Sequence, residues 1–225
     1  TPGQGNSKML CSERVWLSTT INMGEAIKEY SNLLPCRNQK REIPIGWNSW
    51  DYYFRTVTLQ DMIENMDAIQ KDPILNDKIK YIVVDDGWSH YWGEWEPNYK
   101  FPGGMKHLAE EIKSRGFIAG IWTAPIQVEG LSYTAMRNSD ILIKDEYGDP
   151  LESDVGGHYM IDPTHPEGQK FIKGLYTGLY IAGYRLFKID FVNGLKNAKY
   201  FYNQNIGPYE AIRELFLIIR ECVGM

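Results

Sequence analysis

The most chemically loaded stretch of the sequence is YRLFKIDF, Tyr184–Phe191, where a lysine and an aspartate two residues apart interrupt an apolar run. Strand alternation puts Leu186, Lys188 and Asp190 on one face and Phe187, Ile189 and Phe191 on the other. The apolar face suits a layer of helices, and the charged face then looks into an open mouth. Opposite charges so placed attract by roughly 4 kcal/mol at about 4 Å and an effective dielectric near 20. That attraction holds Asp190 ionised, as a carboxylate nucleophile requires. Two other readings stand beside it. One is a structural ion pair at a barrel rim. The other is Lys188 as a Schiff-base amine, which favours a lysine free of a carboxylate partner.

A second loaded stretch is IVVDDGW, where Asp85 and Asp86 end an apolar strand. Adjacent residues project to different sides, so one acid points inward and the other leans over from the loop. Paired carboxylates suit the grip of vicinal hydroxyls, each accepting two hydrogen bonds. They also suit a divalent cation with water, and Asp86 reads equally as a cap or turn aspartate. Trp47, Trp50, Trp88 and Trp122 all fall at strand ends, where they would form a stacking wall. With seven tryptophans and fifteen tyrosines, a site for flat apolar faces such as sugar rings competes with plain core. His90, His107, His158 and His165 show no metal-ligand spacing. Cys11, Cys36 and Cys222 are far apart and read as buried thiols rather than a zinc site. There is no G-x-S-x-G and no phosphate-binding loop.

The rest of the chain supplies elements to hold these residues. IPIGWNSW is a strand, and Thr58 caps a helix with Leu59, Met62, Ile63, Met66 and Ile69 on one stripe. IKYIVVDD is the near-continuous apolar run of a covered parallel strand. Met105, Leu108 and Ile112 mark the next helix, ended by Gly116, and FIAGIWTAPI is the third strand. A polar stretch runs from Glu129 to His158, with EYGDP as a hairpin turn. Thr164 or His165 then caps a helix with Pro166 at its first position and Phe171, Leu175 and Leu179 as its stripe. YRLFKIDF is the fourth strand. Pro208 opens a last helix carrying Ile212, Leu215, Phe216, Ile219 and Val223. Upstream, RVWLST is a short strand candidate. Gly24–Leu34 is helical and is stopped by Pro35 and the charged CRNQKRE.

Strand and helix alternate about four times, which predicts βαβ crossovers in either an open doubly wound sheet or a (β/α)8 barrel. The absence of G-x-G-x-x-G after the first strand removes the dinucleotide-binding version. Polar residues at several strand ends favour the barrel. A complete barrel needs about 250 residues. Residues 43–225 are therefore expected to form the N-terminal half of a TIM-type (β/α)8 barrel, about four βα units, with residues 1–42 as a linker segment with one helix. Such a half leaves strand edges unpaired. A composition of 43% hydrophobic and 24% charged residues is globular. The net charge of −5 argues against a nucleic-acid partner. No apolar run reaches the roughly 20 residues of a membrane helix. TPGQGNSKML lacks the apolar core of a signal peptide. Because the first residue is not Met, the chain reads as excised from something longer, and its location stays open.

Taken in this order and spacing, GWNSWDYY, VVDDGW, FPGGMKHLAEEIKSRGFIAGIW and FKIDF resemble the α-galactosidase (melibiase) clan of glycoside hydrolases. The likeness runs from about Ile43 to Gly194, nearest to family 36 and similar to family 27. The resemblance implies a retaining exo-α-glycosidase acting on terminal α-linked galactose or a related sugar, with no metal or organic cofactor. It implies Asp190 as the catalytic nucleophile and Lys188 as a ligand of sugar hydroxyls. It implies that Asp85 and Asp86 bind the terminal galactose and that Trp50, with Trp122, lines the pocket. The clan's acid/base is a second aspartate on a later strand, yet Asp190 is the last aspartate here, with only Glu210, Glu214 and Glu221 beyond it. The clan's preceding β-sandwich is also absent, and residues 1–45 resemble its trailing linker. The chain is therefore expected to lack the acid/base and to be inactive alone. Its expected partners are a carbohydrate substrate and either the missing C-terminal half of the barrel or a second copy, with no nucleic acid and no membrane. A raffinose-synthase-type transglycosylase and a catalytically incomplete sugar-binding domain are the alternatives.

Overall fold

The computed structural model describes residues 16–33 and 43–224. The chain divides into two compact units, Thr1–Ile43 and Pro44–Met225. The described part of the first holds one helix, α1 (Met23–Leu33), with no buried residue. Asn22 Oδ1 accepts the N–H groups of Gly24 and Glu25 at 2.9 and 3.3 Å and so caps its start. Trp16–Thr19 are not in a strand. Cys11, Cys36, the start of RVWLST, Pro35 and CRNQKRE lie outside the described residues.

The second unit runs β1 (Gly46–Asn48), α2 (Trp50–Tyr53), α3 (Leu59–Lys71), α4 (Pro73–Lys78), β2 (Tyr81–Val84), β3 (Ser89–Tyr91), β4 (Glu94–Pro97), α5 (Gly104–Ser114), β5 (Ile118–Thr123), β6 (Gln127–Glu129), α6 (Tyr133–Arg137), β7 (His158–Met160), α7 (Pro166–Ala182), β8 (Leu186–Ile189) and α8 (Pro208–Val223). Four strands form one parallel sheet in the order β1-β2-β5-β8. β3-β4 and β6-β7 are antiparallel pairs. The parallel order follows the sequence without reversal, whereas a doubly wound sheet reverses at its switch point. β1 and β8 each have a single neighbour in that sheet.

The two faces of the sheet differ as the alternation predicts. Ile82, Val84, Ala119 and Ile121 join Met62, Met66 and Ile69 of α3, Met105, Leu108 and Ile112 of α5, and Leu179 of α7 in one buried cluster, with Phe187 packed against it. Helices thus cover one face. Val83, Trp122 and Lys188 stand on the other. Tyr176 and Tyr184 fasten the helix layer. Tyr176 shares a hydrogen bond with Thr123 Oγ1 at 2.7 Å, and the Tyr184 hydroxyl donates to the Met105 carbonyl at 3.0 Å. Burial pushes both phenols above their usual range.

The expected helix starts are present. Thr58 and Asp61 form a reciprocal capping box on α3, and His165 Nδ1 accepts the Glu167 N–H ahead of Pro166 on α7. Two stripes are rotated from their expected positions. α7 buries Ile172, Tyr176 and Leu179, leaving Phe171 and Leu175 half-buried. α8 buries Ile218 beside Leu215 and Ile219, which turns Phe216 outward at 38% exposure. Three short helices, α2, α4 and α6, and the two antiparallel strand pairs are not among the expected elements. α4 has its own signal, Asp72 capping Ile74 and Leu75 ahead of Pro73. β3, β6 and β7 are three residues each, too short to show an alternation. Among the described residues no helix is long and apolar enough to cross a membrane.

Candidate active site

Asp85 follows β2 and Asp190 follows β8. The strands are parallel, so both acids leave the same edge of the sheet. Lys188 pairs in register with Trp122, and Val84 pairs with Ile121. Asp85, Trp122 and Lys188 therefore form one row across the sheet on the face without helices. Spanning β5 means crossing two strand spacings of about 4.8 Å each. The Lys188 and Asp85 side chains reach toward each other over that gap, and Nζ donates to Asp85 Oδ2 at 2.7 Å. Asn48 Nδ2 donates to the same oxygen at 2.7 Å, and the Asp86 N–H donates to Oδ1 at 2.9 Å. The Asp85 N–H in turn donates to Ser49 Oγ at 2.9 Å. Asp85 is only 1% exposed. A carboxylate so removed from water needs a matched set of donors, and it has them.

This arrangement corrects the pairing expected within β8. Lys188 forms its ion pair with Asp85, not with Asp190. A buried carboxylate attracts the ammonium more strongly than a half-exposed one, because the local dielectric is lower. Asp190 is oriented by neutral donors instead. Trp122 Nε1 donates to Oδ2 at 3.1 Å and the Phe191 N–H to Oδ1 at 2.9 Å, while its own N–H bonds to the Thr123 carbonyl at 2.9 Å. Each oxygen keeps a lone pair for another partner. Phe191 sits at φ 55°, in the left-handed region that non-glycine residues seldom adopt. Gln127 Nε2 donates to its carbonyl at 3.0 Å. The Gln127 Oε1 is buried with no protein partner.

Asp86 faces a different set of groups and is 4% exposed. Arg55 Nε donates to Oδ2 at 2.7 Å and Trp92 Nε1 to Oδ1 at 3.0 Å. The Arg55 guanidinium also lies 3.7 Å from Glu129 Oε1 and 5.0 Å above the Trp92 ring. These groups line a cleft of about 250 Å³ together with Tyr91 and Lys100. Burial pushes the Lys100 ammonium below its usual range, partly opposed by the charge of Asp86. A larger groove of about 910 Å³ runs along α7, between Trp95, Met105 and Phe171, and touches none of the three aspartates. Chemistry is therefore assigned by the carboxylates and not by cavity size.

The tryptophans divide. Trp122 is 2% exposed and sits between the two acids in the row. Trp50 opens α2, half-buried, with its N–H on Asn48 Oδ1 at 2.7 Å and its ring 5.3 Å from Phe54. Trp88 belongs to the helix-side core, its indole donating to the Trp122 carbonyl at 3.0 Å, and Trp47 packs against that core as well. The stacking wall expected at the strand ends thus loses Trp88 and Trp47. Asn48, Ser49, Arg55, Trp92 and Gln127 were missed in the sequence. Asn48 and Ser49 had a readable signal, two polar residues ending the first strand. The others lie on turns and a three-residue strand with no period to expose them. Among the described residues no His, Cys, Asp and Glu cluster is placed to hold a metal.

A model of the family described as Melibiase matches residues 18–211. Alpha-galactosidase mel1 of Schizosaccharomyces pombe is 28% identical over 111 residues, covering 47% of this chain and 26% of that protein. The solved structure of TtGalA, an alpha-galactosidase from Thermus thermophilus in complex with p-nitrophenyl alpha-D-galactopyranoside, superposes with a TM-score of 0.76 at 27% identity, covering 89% of this chain and 40% of that one. The GH36 alpha-galactosidase AgaA from Geobacillus stearothermophilus shares the fold, with a TM-score of 0.63 at 20% identity over 81% of this chain and 26% of that one. The chain spans about a quarter of the length of that curated relative and less than half of either solved neighbour.

Proposed function

The chain belongs to the melibiase family, and on that premise we propose that it carries the nucleophile and the sugar-gripping residues of a retaining α-galactosidase-like glycoside hydrolase. The observation that carries this reading is the placement of Asp190. It is a half-buried carboxylate at the carboxyl edge of a parallel sheet, aimed by two N–H donors, on the same face as the Lys188–Asp85 pair. In the proposed reaction an Asp190 oxygen attacks the anomeric carbon of a terminal α-galactoside. The bond to the aglycone oxygen breaks, and a carboxylic acid protonates that oxygen as it leaves. The same acid, as carboxylate, then takes a proton from water, which cleaves the glycosyl-enzyme. Lys188 and the two acids after β2 hold hydroxyls of the sugar, with Trp50 and Trp122 at its apolar faces.

The acid/base must lie about 5–5.5 Å from the nucleophile in a retaining enzyme. We assign it to a part of the barrel outside this chain. Sequential strand order, helices packed on one face of the sheet among the described residues, and two strands with one neighbour each support reading residues 43–225 as four units of a (β/α)8 barrel, preceded by a linker segment in residues 1–42.

The test uses the full-length protein that contains this chain. A fluorinated galactosyl inactivator that accumulates the glycosyl-enzyme is expected to label Asp190, read by peptide mass mapping. A label on another carboxylate would overturn the assignment. Galactose binding without turnover of any aryl α-galactoside would leave a sugar-binding domain, and transfer to a sugar acceptor in preference to water would leave a transglycosylase.

A further inference from the structure

We propose that Trp92 is a positioning residue that ties Asp86 to the loop bearing Asp190. The proposal rests on the reading of the site given above. Trp92 is 5% exposed and sits in the turn between β3 and β4. Its indole N–H donates to Asp86 Oδ1 at 3.0 Å. Its ring lies 5.2 Å from the Trp122 ring, 5.0 Å from Phe191 and 4.8 Å from His158, with the Arg55 guanidinium 5.0 Å from its centre. Trp122 in turn donates to Asp190, and Phe191 is the residue whose N–H also binds Asp190. One side chain thus touches both supports of the nucleophile while bonding to the neighbouring acid.

The turn that carries Trp92 is itself fixed. Its N–H donates to Glu129 Oε1 at 3.2 Å, and its carbonyl accepts the Glu129 N–H at 2.9 Å. Gly93 follows at φ 91°, pressed so closely on Val128 that an added Cβ would lie 3.0 Å from its methyl group. The ring packed on Phe191 opposes relaxation of that residue out of its left-handed backbone conformation. Loss of the N–H and loss of the ring are then two separable defects: the first frees Asp86, the second lets the Asp190 loop move.

The test is a double-mutant cycle in the full-length protein on p-nitrophenyl α-galactoside. Trp92→Phe keeps the ring and deletes the N–H. It is expected to lower kcat/KM about tenfold to hundredfold, the range for a hydrogen bond to a charged group. In an Asp86→Asn background the same change is expected to cost less than about threefold, because the acceptor charge is already gone. Galactose Kd replaces kcat/KM in the cycle if turnover is too slow to follow. Trp92→Leu, which also removes the aromatic plane against Phe191, is expected to lower kcat a further tenfold or more. If Trp92→Leu does not fold, shown by its melting curve, Trp92→Phe carries the test alone. A Trp92→Phe enzyme within twofold of the parent, or an equal loss in both backgrounds, overturns the proposal. Asp190→Asn separates the two levels. Persistent turnover in that variant sinks the functional reading, whereas a dead variant with an additive cycle sinks only the role of Trp92.

Discussion

Asp190 has two oxygens, each holding one N–H donor and one free lone pair, and it lies half-open on the sheet face. Asp190→Asn preserves the shape but removes the oxygen proposed to attack, and it turns an amide NH2 toward either Trp122 or Phe191. In the full-length protein turnover on an aryl α-galactoside is expected to fall by about 10⁴-fold or more, with the melting temperature nearly unchanged. A variant that keeps a tenth of the parent rate defeats the nucleophile assignment. Asp86→Asn acts differently, because the acid is almost wholly buried against Arg55 and Trp92. Its loss is expected to weaken galactose binding and transition-state grip by about 2–5 kcal/mol, measured as Kd and kcat/KM. Parent-like affinity speaks against it as a sugar ligand. Asp85, Asp86, Lys188 and Asp190 were legible because charges in or at the end of apolar strand runs stand out, whereas Arg55, on a short turn, did not. The partner of Lys188 was not legible, since Asp85 lies 103 positions away and only the register of β5 brings them into one row.

At the scale of elements, local signals that obey a simple rule read well, and signals that need a partner strand do not. The Thr58 cap is an example of the first kind. Thr58→Ala is expected to cost about 1 kcal/mol, a fall of about 2–4 °C in Tm for a domain of this size, with kcat/KM unchanged because α3 meets the sheet on its helix-covered face. The turn after the paired acids is the second kind. Gly87 has φ 116°, and a Cβ there would stand 2.6 Å from the Arg55 carbonyl oxygen and 2.7 Å from its Cα. The sequence showed only a glycine after two aspartates; the need for glycine comes from a backbone 32 residues earlier in the chain. Gly87→Ala must move one backbone off the other and thereby pull Arg55 from Asp86. Activity is expected to fall at least tenfold together with Tm, whereas an enzyme with a lower Tm but full kcat/KM would show that the Arg55–Asp86 bond is dispensable.

For the whole molecule, the consequence turns on the two outer strands. β8 has one partner, β5, and all four of its residues are only half-buried, while the interior strands β2 and β5 are buried along nearly their whole length. A sheet in that state presents a row of free N–H and C=O groups beside apolar side chains, a template for further pairing. If the proposed barrel is completed by other strands, those strands cover this edge and bring the acid/base opposite Asp190. The 225-residue chain by itself is then expected to self-associate and to turn over aryl α-galactosides at least 10²–10⁴-fold more slowly than the full-length protein, the usual contribution of general acid–base catalysis. An activated aryl group leaves without much protonation, so a slow release of one phenol per chain, with the sugar left on Asp190, is the residual activity to look for. Sedimentation mass together with a progress curve checks both parts. Sustained turnover by a stable monomer would mean that the acid/base lies among Thr1–Met225 after all, and that the four-stranded sheet is a finished structure and not the half of one.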